Sequence, residues 1–186
     1  MQRKISEKNI SYLGVNPYKT LGKIIYNLRR RNHRNIITQE KLGELINLNR
    51  TSIEYIEHGI RKLDLFEVKD IANLFSVYSP EIAQLKLVLD THFPKGNHGT
   101  RDIHKQTGIL ICKSRLNVGI SRNELSRRTG IDAALLWRIE SGFVRIYLLE
   151  VWAIARILRE CEEFKQLDDA LSDLLIVNQA NHLVAS

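Results

Sequence analysis

"RTSIEYIEHG", residues 50–59, sets Ile53 and Ile56 at helical spacing and surrounds them with Arg50, Thr51, Glu54 and Tyr55. The two isoleucines can bury one side of a short helix, which leaves the other side covered in hydrogen-bonding groups. Gly59 then offers a residue suited to a left-handed helix cap. The same frame returns at 133–142 as "AALLWRIESG", where Leu136, Ile139, Glu140 and Gly142 stand 83 positions after Ile53, Ile56, Glu57 and Gly59. Its outward face is reduced to Ala133, Ala134 and Arg138 at the positions of Arg50, Thr51 and Tyr55.

The repeat extends in both directions from this frame. Thr38-Gln39-Glu40-Lys41-Leu42 aligns with Ser121-Arg122-Asn123-Glu124-Leu125 at the same offset, and Arg29 aligns with Arg115 at an offset of 86. Three extra residues therefore lie in the basic stretch "RRNHRNIITQ" of the first copy. Each copy is long enough for a small five-helix core. Apolar residues recur at spacings of three and four with no convincing alternating run, so the chain reads as all-α. Helices are expected over 18–32, 39–46, 50–58, 64–76 and 80–91, then 102–117, 122–129, 133–141, 147–159 and 162–177. The organisation that follows is a flexible basic arm at 1–17, a first domain at 18–91, a linker at 92–101 and a second domain at 102–186. The linker reading rests on Pro94, Gly96 and Gly99.

Composition bounds the partners. The chain has 186 residues, 44% hydrophobic and 26% charged, with a formal net charge of +7. That balance fits a globular protein and favours an anionic partner such as nucleic acid. The charge is uneven, at +6 over 1–95, +5 over 96–158 and −4 over 159–186. No apolar run approaches the roughly 18 residues that cross a bilayer, and the first residues hold no apolar core of signal-peptide length. A cytoplasmic protein without membrane contact is expected. Cys112 and Cys161, the only two cysteines, set no disulfide framework and fit a reducing compartment.

A short amphipathic helix, a tight turn and a second short helix ending in Glu-x-Gly form a helix-turn-helix. The first helix of such a motif crosses the phosphate backbone and the second enters the major groove. The turn between them favours residues that tolerate positive φ, here Asn47 in the first copy and Gly130 in the second. On "LGKIIYNLRR", "TQEKLGELI", "RTSIEYIEHGIRKL" and "VKDIANLFSV" the chain resembles the phage repressor/Cro (Xre-type) helix-turn-helix regulators. The second copy resembles them through "CKSRLNVGISRNELSRRTGIDAALLWRIESG" and "LLEVWAIARIL". The resemblance implies two tandem lambda-repressor-like five-helix domains. It implies a transcriptional regulator that binds double-stranded DNA sequence-specifically, a repressor of phage or mobile-element type, with the helix at 50–58 in the major groove.

Individual roles follow from the same resemblance. Gln39 would hold a phosphate at a helix N-terminus, where the dipole favours anions. Asn49 would cap the recognition helix. Arg50 and Thr51 match the main base-reading positions, Tyr55 another one turn on, and Ser52 completes that face. An arginine here can bond a guanine edge bidentately. Arg61 and Lys62 suit backbone phosphates. Arg29 with Glu57, and Arg115 with Glu140, match a buried ion pair that ties the first helix to the recognition helix. In the second copy the DNA-facing set is Arg122, Ala133, Ala134, Arg138 and Arg145, in which the alanines offer only methyl contact to thymine. That copy therefore either holds DNA largely through phosphates or serves a protein interface built on Leu135 and Trp137, unless Trp137 packs in the core.

The tail places Phe164, Leu167, Leu171 and Leu174 on one helical face. Such a face packs on its own domain or pairs with a copy; two motifs on one chain can mimic a two-fold dimer alone on an asymmetric site, or two chains can pair, and a homodimer on an inverted-repeat operator is expected. No phosphate-binding glycine loop, nucleophile-base frame or zinc-finger spacing is present, so neither an enzyme nor a cofactor is expected. His92, His98 and His104 straddle a loop with no cysteine pattern, and no metal site is read there. The alternative function is a protein-interaction module, an antitoxin or antiactivator, with the helix-turn-helix as a docking surface.

Overall fold

The structure, a computed structural model, describes residues 17–30, 36–93 and 100–183. The first half holds α1 (Pro17–Arg30), α2 (Gln39–Leu45), α3 (Arg50–Glu57), α4 (Leu65–Phe75) and α5 (Pro80–His92). The second holds α6 (Thr100–Asn117), α7 (Arg122–Thr129), α8 (Ala133–Glu140), α9 (Leu148–Ile157) and α10 (Glu162–Leu183). Residues 1–16 of the expected arm, 94–99 of the expected linker and 31–35 of the basic loop lie outside the described residues. The boundaries differ from expectation at both connections. Pro17 opens α1, where a missing N–H removes no helical bond. His92 ends α5 and Phe93 is buried, so the start of the expected linker is packed chain. Among the described residues no helix is long and apolar enough to cross a membrane.

Side-chain caps fix where the motif helices begin. Thr38 Oγ1 accepts from the Lys41 N–H at 3.1 Å, and Asn49 Oδ1 from the Ser52 N–H at 2.7 Å. Ser121 and Asp132, 83 positions later, do the same for α7 and α8. Each cap satisfies N–H groups that the first turn of a helix leaves without partners. At the turns, Asn47 takes φ 55° and Gly130 takes φ 72°, the left-handed conformation that redirects the chain between the two motif helices.

Leu21, Ile24, Ile25 and Leu28 of α1 are buried in one core with Ile53 and Ile56 of α3. Gly22 lets these helices approach. A Cβ built there would overlap the Ile56 carbonyl oxygen and lie 2.6 Å from that of Glu57. Gly108 occupies the matching place in α6 against Ile139 and Glu140 of α8. The two glycines stand 86 positions apart, the offset of Arg29 and Arg115.

The halves pack on each other. α10 lies against α5, α9 and α1, and its face of Phe164, Leu167, Leu171 and Leu174 is buried. Phe164 meets Phe93 edge to face at 6.3 Å, and His92 Nε2 lies 2.9 Å from Gln166 Oε1. The amphipathic tail thus covers its apolar face within its own chain. After α3 and α8 the halves also join backbone to backbone. The Leu65 N–H donates to the Ile146 carbonyl at 3.3 Å and the Leu148 N–H to the Leu63 carbonyl at 3.0 Å, an antiparallel bridge centred on Asp64 and Tyr147.

Candidate nucleic-acid interface

Glu57 organises the first motif from beneath. Arg29 Nε donates to its Oε1 at 2.7 Å and the second guanidinium nitrogen to its Oε2 at 3.1 Å, with both side chains under a tenth exposed. Arg29 also donates to the Ile37 carbonyl at 2.9 Å, which ties the loop before α2 to the pair. Gln39 donates to Glu57 Oε2 at 2.7 Å. One carboxylate therefore joins α1, the entry to α2 and the end of α3. A fork-to-fork arginine–carboxylate contact fixes direction as well as distance, which suits a helix that must be aimed.

The second half repeats this hub with one change. Arg115 meets Glu140 at 2.7 Å and 3.2 Å and reaches the Ile120 carbonyl at 2.9 Å. Arg122 stands where Gln39 stood and donates to Glu140 Oε2 at 3.0 Å and 2.8 Å. Burial pushes the Glu140 carboxyl up, but the bonds from Arg115 and Arg122 and their charge outweigh it, and its pKa lies below the ordinary 4.5.

Above these hubs, the outward faces differ. Arg50, Thr51 and Tyr55 are exposed on α3, and Arg50 pairs with no carboxylate among the described residues. Ser52 is half-buried beside them, its N–H held by the Asn49 cap. On α8, Ala134 and Arg138 are exposed, Ala133 is half-buried, and Arg138 pairs with no carboxylate among the described residues. Trp137 is 48% exposed and its ring lies 5.6 Å from that of Phe143, itself 69% exposed. Phe143 carries no sequence signal beyond its place after Gly142, where a tight turn pushes the next side chain outward.

Other expected phosphate contacts have partners in the chain. Arg61 grips Glu67 at 3.0 Å and 2.5 Å. The Lys62 ammonium lies 5.9 Å from the ring centres of both Tyr18 and Tyr147. Arg145 is more than half exposed and sits 3.4 Å from Asp64. Sequence reasoning missed the Arg61–Glu67 grip, the Gly22 and Gly108 approaches and the Asp64–Tyr147 bridge. A mid-helix glycine repeated at the Arg29–Arg115 offset was a legible signal for the approaches. The bridge left no such mark. Cys112 is half-buried, its sulfur 3.9 Å from the Arg115 guanidinium.

His104 couples this region to pH. Its ring is buried, and Nδ1 accepts from the Ile146 N–H at 3.4 Å beside the bridge. Burial lowers its pKa below 6.5, with Arg145 adding to the effect and Asp64 and Glu67 opposing it. Unfolded chains take up this proton near 6.5, the folded chain only at lower pH. Stability should therefore be full above pH 6.5 and fall as pH drops from there through the folded value. Melting temperatures measured at pH 7.5 and 5.5 should show the drop, and His104→Gln should reduce it. Equal drops in both proteins would show that His104 does not carry the pH dependence.

Residues 28–82 match the family model described as Helix-turn-helix, a DNA-binding domain family rather than an enzyme family. No curated protein and no solved structure matches the chain. The matched span runs from the end of α1 into α5 and contains the Arg29–Glu57 pair, both motif helices and the exposed face of Arg50, Thr51 and Tyr55. Residues 28–82 are thus similar to a helix-turn-helix domain.

Proposed function

We propose that this protein is a transcriptional regulator that reads double-stranded DNA in the major groove with α3. The observation that carries the reading is an outward face of Arg50, Thr51 and Tyr55 on a helix aimed by the buried Arg29–Glu57 fork. Arg50 reads a base, Thr51 and Tyr55 flank it, and Ser52 lies at the edge of the contact. Gln39 turns between Glu57 and a phosphate. Arg61 and Lys62 lend positive charge from within their own contacts. α7 and α8 form a second helix-turn-helix unit, supported by the matching hub of Arg115, Arg122 and Glu140. In that unit Ala133 and Ala134 meet thymine methyls, and Arg138 and Arg145 face phosphates. The regulator acts as a repressor of the phage or mobile-element type it resembles, occupying a site that excludes other proteins.

Arg50→Ala is the direct test. It should weaken specific binding by about 1–3 kcal/mol and relax preference at one base pair. Titrations against the selected site and a scrambled duplex of equal length measure this. Equal losses on both would reassign Arg50 to a phosphate and withdraw base reading from it. Binding by the intact protein should also weaken steeply with salt, since phosphate contacts release counterions.

A further inference from the structure

We infer that one chain is the complete DNA-binding unit, and that its target is a duplex with two dissimilar half-sites in opposite orientation. The inference rests on the proposed reading of DNA by α3 and α8 and deepens it.

Two of the contacts between the halves pair a segment with its own counterpart, while α1 against α10 and α4 against α6 do not. Asp64 faces Tyr147, and these residues stand 83 positions apart, the offset of the recognition helices. Leu65 matches Leu148, and Leu63 matches Ile146. Exchanging the halves therefore turns the Leu65-to-Ile146 bond into the Leu148-to-Leu63 bond. The flanking contacts obey the same exchange. Lys62 lies against the Tyr147 ring where its counterpart Arg145 lies against Asp64, the counterpart of Tyr147. At the other end of the interface α5 packs on α10, the fifth helix of one half on the fifth helix of the other. Such self-matched contacts define a two-fold interface between identical subunits. Here one chain supplies both sides.

Two consequences follow. The surface through which either half would pair with a copy of itself is already filled, and the face of α10 that would pair two chains is buried. The two recognition helices are also related by a local two-fold axis, so they address half-sites of opposite orientation. Their faces differ, with Arg50, Thr51 and Tyr55 on one and Ala133, Ala134 and Arg138 on the other. Two different faces on one axis fit an asymmetric site rather than a palindrome.

The test uses the full chain and a duplex selected from a random pool. Native mass spectrometry of the complex should give one chain per duplex, with both half-sites protected in footprints. Replacing the half-site under α8 by an inverted copy of the one under α3 should weaken binding by at least about tenfold, since a single mismatched base pair can cost that much. Two chains on a palindromic motif, or full affinity for the symmetrised duplex, would overturn the inference and leave base reading by α3 standing. Failure to enrich any motif would overturn both.

Discussion

Replacing Glu140 with alanine should cost about 3–5 kcal/mol of folding stability, because it leaves Arg115 buried without its counter-charge. The Glu140 side chain is 3% exposed and the Arg115 side chain 7%, so little water reaches either group to compensate. Arg122, at 35%, can turn to solvent, and its loss of partner adds less. Glu57→Ala should act in the same direction, since Arg29 and Glu57 are as deeply held and Gln39 loses its acceptor too. Urea unfolding followed by circular dichroism measures both, and the midpoint should move with little change in slope. An unshifted midpoint for Glu140→Ala would show that the second hub contributes no net stability.

Gly22→Val should cost about 3 kcal/mol, at the upper end of what overpacking usually does. The obstacle is backbone. A side chain at Gly22 meets the carbonyl oxygens of Ile56 and Glu57 at the end of α3, backbone atoms that cannot rotate away as a side chain would. Relief requires α1 to lift from α3, which stretches the Arg29–Glu57 fork and exposes Ile25 and Ile53. Gly108→Val should do the same to α6 and α8. Thermal melts of the two variants read the effect, and a melting temperature within a degree of the parent would show that these helices can separate cheaply.

The periodicity of the chain made its helices legible, since amphipathic spacing reports burial directly. Helix ends were legible where a capping side chain marks them, as at Thr38, Asn49, Ser121 and Asp132. They were less so at Pro17 and His92, where proline and a loop-like composition drew the boundaries inward although Pro17 can open a helix and Phe93 packs. The buried arginine–glutamate positions came from family resemblance and not from spacing, because an ion pair leaves no periodic trace. Contacts between distant segments were the hardest to read. Nothing in "KLDL" or "RIYL" announces that Asp64 and Tyr147 meet, since the pairing depends on how the two halves of the chain pack. For the same reason the tail face of α10 left open whether it packs on its own chain or on another.

Base reading by α3 is decided by selecting duplexes from a random pool. The intact chain and Arg50→Ala should be run side by side. The intact chain should enrich a motif, and the variant the same motif with one position, expected to be guanine, no longer preferred. No enrichment by the intact chain, or identical motifs from the two proteins, would contradict base reading by α3.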